Sequence, residues 1–164
     1  MMFNIKHTPL ILTITLGMIF FLPATQAADR YTVSANGEEV KDNETQLIWR
    51  RCPAGMGGSG CTGSASTFTH QAALQHAAGQ AASTGVAWRL PNVKELASLA
   101  DLGRRNPAID TAFFPNTPSN AFWSSSPYVG DSNYAWYVNF DYGDVYYGSD
   151  RSNAFPVRLV RASQ

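Results

Sequence analysis

The alternation of apolar and polar residues predicts a strand, a stop and a capped helix within residues 88–96. Trp88 and Leu90 flank a polar residue, a pattern typical of the end of a half-buried strand. Pro91 disfavours helical dihedrals in the residue before it, so the strand ends there. Asn92 is a favourable N-cap, and Glu95, three residues later, can complete a capping box. The predicted helix has an apolar edge formed by Leu96, Leu99 and Leu102.

The remaining pattern divides the chain into early strands, a first helix and late strands. Early strands are predicted at 31–33, 40–42 and 45–50. An alanine-rich helix follows, capped by Thr69 or Thr67 and ended by Gly85. Late strands are predicted at 122–124, 135–141, 145–147 and 157–161. Trp136, Val138 and Phe140 are expected on one face, and Trp123 and Trp136 in the core. Strands, two helices and strands in this order indicate one α+β domain.

The N-terminal residues have the organisation of a secretory signal peptide. A basic segment precedes an apolar run at 10–22, which is too short to span a bilayer, and small residues follow. We expect cleavage after Ala27 or Ala28, which makes residues 1–27 the signal peptide. The mature domain, residues 28–164, would then be periplasmic or secreted, with no membrane span. An uncleaved N-terminal anchor is the alternative.

Charge and cysteine content narrow the class of protein further. The chain has 12 basic and 12 acidic residues, so it lacks the excess of positive charge typical of nucleic-acid-binding proteins. Cys52 and Cys61 are expected to form a disulfide in an oxidising compartment, closing a glycine-rich loop. A redox pair or half of a metal site is the alternative, but the spacing is not C-x-x-C and a second ligand pair is missing.

Six ordered motifs resemble those of one protein family. They are Asp42-Asn43-x-Thr45-x-Leu47-x-Trp49, the cysteine loop, Trp88-Arg89-Leu90-Pro91-Asn92-x-Lys94-Glu95-Leu96, Phe113-Phe114-Pro115, Phe122-Trp123-Ser124-Ser125-Ser126 and Val157-Arg158-Leu159-Val160-Arg161. The chain thereby resembles the Lcl C-terminal domain family, named for the C-terminal domain of a bacterial collagen-like adhesin. The resemblance implies a C-type-lectin-like single domain, with two helices packed on antiparallel strands. It also implies surface adhesion, and sulfated glycosaminoglycan binding is attributed to the adhesin. It fixes no binding residues.

A candidate ligand-binding segment, residues 124–150, is rich in tyrosine, asparagine and aspartate. Aromatic faces can stack on sugar C–H surfaces while polar side chains hydrogen-bond hydroxyls, which favours a cell-surface or extracellular glycan as ligand. An envelope protein is the alternative partner. A further alternative is structural, with tyrosines stabilising cross-strand pairs and polar residues serving turns. The candidate ligand-binding residues are Tyr128, Tyr134, Tyr142, Tyr146, Asp131, Asn133, Asp144 and Arg151.

Calcium is the one cofactor that the sequence pattern suggests. Ca²⁺ takes six to eight oxygen ligands, and the late segment supplies several carboxylates. Residues 131–133 begin like a calcium loop, but the following residues lack the expected spacing. The candidate calcium ligands are Asp131, Asp141, Asp144 and Asp150.

A sulfated ligand would require basic side chains grouped in space. The candidates are Arg50, Arg51, Lys94, Arg104, Arg105, Arg151, Arg158 and Arg161. Neighbouring residues of a strand point to opposite faces, so Arg50 and Arg51 cannot join one patch. Alternatively, Arg158 and Arg161 pair with Asp42 or Asp101.

The sequence favours a binding protein over an enzyme. His70 and His76 fall on different faces of the first helix, so they cannot share a metal ion there. The serines at 124–126 have neither the G-x-S-x-G setting nor an identifiable base. An enzyme with a formylglycine-generating type of fold is the remaining alternative.

Overall fold

This computed structural model describes residues 29–163, so the predicted signal peptide and its cleavage sites lie outside the described residues. The described elements are β1 (Tyr31–Val33), β2 (Glu39–Asp42), β3 (Leu47–Arg50), β4 (Thr67–Phe68), α1 (His70–Thr84), α2 (Val93–Ala97), β5 (Ala121–Pro127), β6 (Tyr134–Asn139), β7 (Asp144–Asp150), β8 (Phe155–Pro156) and β9 (Val160–Ala162). The architecture is α+β, as predicted. None of the described helices has the length and apolar character needed to cross a bilayer.

The strands form three antiparallel sheets. Their orders are β1-β2-β3-β9, β5-β6-β7 and β4-β8. Trp49 in β3 lies opposite Val160 in β9, so the first and last strands belong to the same sheet. The closing strand predicted at 157–161 is wrong as one element, because the chain passes from β8 in one sheet to β9 in another. Pro156 ends β8, and proline has no N–H with which to extend a ladder.

Local capping signals define both helices. The Thr69 hydroxyl accepts from the Ala72 N–H, and Gly85 ends α1 in the left-handed conformation with φ 68°. At α2, the Asn92 side chain accepts from the Glu95 N–H while the Glu95 carboxylate accepts from the Asn92 N–H. The predicted caps and capping box are therefore confirmed.

The segment around α2 differs from its prediction both before and after the helix. Trp88–Leu90 is not a strand: Arg89 forms a single bridge with Val160, and Pro91, which has no N–H to extend a ladder, follows directly after Leu90. Helix α2 is five residues long and has its C-cap at Ser98. Leu102 lies beyond this end, in a turn, and is 75% exposed, so it does not extend the apolar edge.

The β5-β6-β7 sheet separates two apolar clusters. Phe122 pairs with Val138, and the next residue, Trp123, pairs with Tyr137. Successive residues of a strand point to opposite faces, so these two pairs face different clusters. Phe122 and Val138 pack with Trp49, whereas Trp123 packs with residues of α1. Both faces of the middle of this sheet are therefore buried, and the core position predicted for Trp123 is confirmed.

Arg158 is fully buried without a carboxylate partner. Its guanidinium donates to the carbonyls of Arg50 and Arg51 and, at 2.7 Å, to the Thr117 hydroxyl. It also lies 4.9 Å from the centre of the Phe114 ring. Burial lowers the pKa of Arg158 to about 9, which leaves the group charged at neutral pH. The predicted pairing of Arg158 with Asp42 or Asp101 is wrong, because its guanidinium is instead bound by the backbone carbonyls at the end of β3.

Replacing Arg158 with methionine should destabilise the domain strongly. Arg158→Met keeps an apolar stem of similar length but leaves buried carbonyl and hydroxyl groups without their donor, at a cost of about 3 kcal/mol in the free energy of unfolding. Urea denaturation of the mature domain measures it. Arg104→Met is the control, since its ion pairs with Asp101 and Asp110 are solvent-exposed and worth less than about 1 kcal/mol. Equal losses for both variants would contradict the role given to Arg158.

Candidate functional site

The structure divides the predicted ligand-binding residues between two ends of the β5-β6-β7 sheet. Tyr134 lies opposite Asp150, and Asn139 lies opposite Asp144. Six residues of extended chain separate the two aspartates, a distance of about 20 Å. The end formed by the β5–β6 loop, here called the loop end, holds Tyr128, Asp131, Asn133, Tyr134, Asp150 and Arg151. The opposite end, formed by the β6–β7 turn and here called the turn end, holds Asp141, Tyr142 and Asp144. The predicted residues are thus not one site.

Three aromatic residues, Tyr128, Trp136 and Tyr147, form an aromatic cluster near the loop end. The Tyr128 and Tyr147 rings stack with centres 5.0 Å apart and planes 23° apart. Trp136 meets both edge-on, at 6.1 Å from Tyr128 and 5.6 Å from Tyr147. Tyr147 is 62% exposed although Tyr128 covers one face of its ring. The opposite face of the Tyr147 ring is therefore open to solvent.

The core position predicted for Trp136 is wrong, and Tyr147 was not among the predicted site residues. Trp136 is half-buried and lies outside the cluster that contains Val138 and Phe140. The alternation along β6 is correct, but on the face shared by Trp136 and Val138 the core covers only the turn-end half of the strand. A signal for Tyr147 was present, because two consecutive tyrosines on a strand point to opposite faces. One of Tyr146 and Tyr147 therefore had to share the face of Trp136.

The β5–β6 loop closes against the Tyr128 ring. The Tyr128 N–H donates to the Tyr134 carbonyl at 3.1 Å, and the Asp131 carboxylate accepts from the Asn133 N–H at 2.9 Å. Arg151 also donates to the Tyr134 carbonyl, at 3.3 Å. A Cβ added at Gly130 would lie 2.8 Å from the Tyr128 ring, so glycine allows this close approach. Asp131 and Asn133 serve the turn while remaining exposed beside the cluster.

Tyr146 and Tyr142 have other surroundings. Tyr146 stacks on Tyr137 at 5.4 Å, on the opposite face of the sheet from Tyr147, and donates to the Asp144 carboxylate at 3.2 Å. The negative charge of Asp144 raises the pKa of Tyr146. Tyr142, at the turn end, is 50% exposed, and the Arg105 guanidinium lies 5.6 Å from its ring centre. Neither tyrosine joins the aromatic cluster.

The four aspartates considered as calcium ligands are not gathered into a metal site. Within residues 29–163, no three His, Cys, Asp or Glu side chains are grouped so that they could hold a metal ion. Asp131 and Asp150 instead accept from backbone N–H groups two residues ahead, and Asp144 accepts from Tyr146. These are turn-stabilising contacts.

Most of the arginines considered for a sulfated ligand have separate acidic or carbonyl partners in the described part of the chain. Arg161 pairs with Glu39 at 2.7 Å and not with the predicted Asp42 or Asp101. Those two aspartates pair with Arg30 and Arg104, which are closer to them. Further ion pairs join Arg50 to Glu38 and Arg89 to Glu95, and Arg51 donates to the Phe113 carbonyl.

Comparison with known protein families identifies the chain. The family model described as the Lcl C-terminal domain matches residues 38–161, which is most of the chain. The chain belongs to the Lcl C-terminal domain family. The matched range includes the disulfide, Arg158 and the aromatic cluster. Comparisons with curated proteins and with solved structures give no match.

The Lcl C-terminal domain also has a cleft between its disulfide loop and α1. The Cys52–Cys61 disulfide is formed, as predicted, and its loop lines a half-open space of about 430 Å³. Other lining residues are Glu38, Arg50, His76, Gln80 and Leu159. They come from four separate segments, so spacing along the chain gave no signal for this cleft.

The two histidines of α1 lie in different surroundings, as their spacing predicted. His70 is buried, and its Nε2 lies 3.0 Å from the Ser124 carbonyl, which can only accept, so this nitrogen is the donor. His76 stacks on Phe68 at 4.8 Å. Burial lowers the pKa of both imidazoles below the ordinary value of 6.5.

These lowered pKa values predict that the domain loses stability in mild acid. Between pH 6.5 and the lower folded-state pKa values, the unfolded chain binds more protons than the native one. The stability that the two neutral histidines contribute is therefore complete above about pH 6.5, and it is lost as the pH falls through their lower folded-state pKa values. Urea denaturation at pH 7.5 and pH 5.5 should show a lower free energy of unfolding at pH 5.5. The double variant His70→Gln/His76→Gln should reduce this difference, and an unchanged difference would contradict the assignment.

Proposed function

We propose that this Lcl C-terminal domain is an exported, adhesin-like binding domain that recognises carbohydrate through its aromatic cluster. The observation that carries the proposal is the open face of the Tyr147 ring, supported from behind by Tyr128 and edge-on by Trp136. An aromatic face held rigidly at the surface suits the flat C–H face of a sugar ring, since its orientation costs little entropy on binding.

Polar groups around the cluster complete a surface of this type. Asp131, Asn133 and Asp150 are exposed at the loop end. Their side chains can accept from or donate to sugar hydroxyls, which fixes the orientation of a ligand stacked on Tyr147. The carboxylates of Asp131 and Asp150 each accept from a turn N–H group, so these two acceptors are positioned before a ligand arrives.

The proposal also includes a C-type-lectin-like fold and a role in binding without catalysis. The C-type-lectin-like fold implied by the resemblance is supported by the α+β order, the antiparallel sheets and the one disulfide. A role in binding, and not in catalysis, is supported by the committed disulfide cysteines and by the hydrogen bond of the Ser124 hydroxyl to the Trp136 carbonyl. Neither group is poised as a nucleophile.

A protein partner is the second candidate, favoured by strand β7. This strand is at the edge of its sheet, and most of its residues are exposed. An exposed edge can accept a strand from another chain. An envelope protein bound in this way would contact Tyr147 from the side of the sheet edge.

Changing the aromatic cluster should weaken glycan binding. On a glycan array probed with the mature domain, Tyr147→Ala should weaken the strongest signal at least tenfold, since it removes the stacking face. Gly130→Ala should weaken it as well, because the added Cβ displaces the Tyr128 ring that supports Tyr147. Val129→Ala is the matched control, as Val129 is in the same loop and 97% exposed.

Two results would count against the carbohydrate proposal. One is an array without signal, especially where an envelope protein co-purifies with the domain and needs β7. The other is a signal that Tyr147→Ala leaves unchanged while Tyr142→Ala, at the turn end, removes it. Circular dichroism of each variant shows that the fold is retained.

Export should leave a processed chain. When the full chain is expressed in a bacterial host, mass spectrometry of the periplasmic fraction should show an N-terminus at Ala28 or Asp29 and an oxidised Cys52–Cys61 pair. The disulfide supports this expectation, because such bonds persist in oxidising compartments. A chain that begins at residue 29 is the control and should stay in the cytoplasm. An unprocessed Met1 in the membrane fraction would favour the uncleaved anchor.

A further inference from the structure

The strands and turns that carry the aromatic cluster contain charges of one sign. Residues 121–150, which contain β5, β6 and β7, include four aspartates and neither lysine nor arginine. Asp131, Asp144 and Asp150 are exposed, and Asp141 is half-buried. Asp131 and Asp150 belong to the loop end, beside the cluster. A ligand on Tyr147 therefore approaches a surface with negative potential.

Arg151 is the basic residue nearest in sequence to this surface, and it is half-buried and committed to structure. Its Nε donates to the Tyr134 carbonyl at 3.3 Å, and its carbonyl accepts from the His70 N–H at 2.9 Å. One such arginine does not offset two exposed aspartates.

The other arginines in the described part of the chain are engaged away from the cluster. Five of them form ion pairs with carboxylates, namely Arg30, Arg50, Arg89, Arg104 and Arg161. Arg158 is buried, Arg51 donates to a backbone carbonyl, and Arg105 lies at the turn end. Sulfate recognition uses grouped arginine or lysine side chains. The described lysines are Lys41 in β2 and Lys94 in α2; Lys94 is exposed on a helix that contacts β5, β6 and β7, so it brings a single basic charge to this side of the sheet and not a group.

We infer that the aromatic cluster binds an uncharged, hydroxyl-rich glycan and discriminates against a sulfated one. This inference rests on the proposed function. Carboxylates are strong acceptors for sugar hydroxyl protons, so Asp131 and Asp150 favour a neutral donor-rich ligand. The same carboxylates repel sulfate groups held within about 10 Å, the screening length at 0.1 M salt. The aromatic face and the local charge thus select the same class of ligand.

A matched pair of ligands tests this inference. Neutral hexasaccharides of N-acetylglucosamine and of galactose are titrated into ¹⁵N-labelled mature domain, each beside its chemically sulfated derivative, at 50 and 300 mM NaCl. We expect a neutral member to shift the Tyr128 and Tyr147 amide signals, with an affinity that salt changes less than twofold. At 50 mM NaCl the sulfated derivative should bind at least tenfold more weakly.

Isosteric variants separate the charge effect from the fold. Asp131→Asn/Asp150→Asn retains oxygens that can accept from the turn N–H groups, and it should reduce the discrimination against the sulfated derivative at least threefold. Asp144→Asn, at the turn end, is the matched control and should leave it unchanged. Tighter binding of the sulfated derivative, dependent on Tyr147 and weakened by salt, would overturn the inference while leaving carbohydrate recognition intact. Failure of every hexasaccharide to bind, with an array also without signal, would overturn both.

Discussion

The arrangement of this domain depends on one buried cation, the guanidinium of Arg158. It holds the carbonyls at the end of β3, just before the disulfide loop, and the Thr117 hydroxyl of the loop that precedes β5. A charge this deep is tolerated only where several oxygen atoms replace water, and it is costly wherever one of them is missing. Backbone carbonyls cannot move away as side chains can, so Arg158 fixes three distant segments together.

The position of the ligand surface follows from this packing. Arg158 lies between β8 and β9, which places the C-terminal segment under the β5-β6-β7 sheet, where Val157 and Leu159 pack against Trp123 in one of the two clusters. The other cluster, with Phe122 and Val138, covers the opposite face. Neither cluster includes Tyr128, Trp136 or Tyr147, because on the face of the sheet that carries Trp136 the strands extend beyond the core. The aromatic side chains on this uncovered part of the sheet pack against one another, and the rest of their surface is exposed to solvent.

The features that sequence predicts well are those decided by a few neighbouring residues. The capping box of Asn92 and Glu95, the cap at Thr69 and the stop at Gly85 depend on local hydrogen bonds, and all three are present. The Cys52–Cys61 pair follows from two cysteines separated by a short loop. The α+β order follows from periodicity, since alternation and helical spacing are read over single elements.

The features that sequence misses depend on where the core ends. Trp136 alternates correctly with Val138, but periodicity carries no information on how far the core extends along β6. Similarly, the candidate site residues between 128 and 151 are close in sequence, but β6 and β7 place them at two opposite ends of the sheet. The carbonyl partners of Arg158 lie over a hundred residues away in the chain, so local pattern predicts a carboxylate partner in their place. Tertiary packing decides all three.

The neutral net charge of the chain hides an uneven distribution. Four of the nine arginines form ion pairs around the β1-β2-β3-β9 sheet and α2, where they neutralise acidic residues of the same region. Residues 121–150, which form the β5-β6-β7 sheet, contain four aspartates and neither lysine nor arginine. A surface of this kind gains affinity from stacking and from hydroxyl donors, since neither needs a positive charge. The formal charge of zero is therefore not evidence for a neutral binding surface, and the local sign of the charge decides which glycans the cluster can accept.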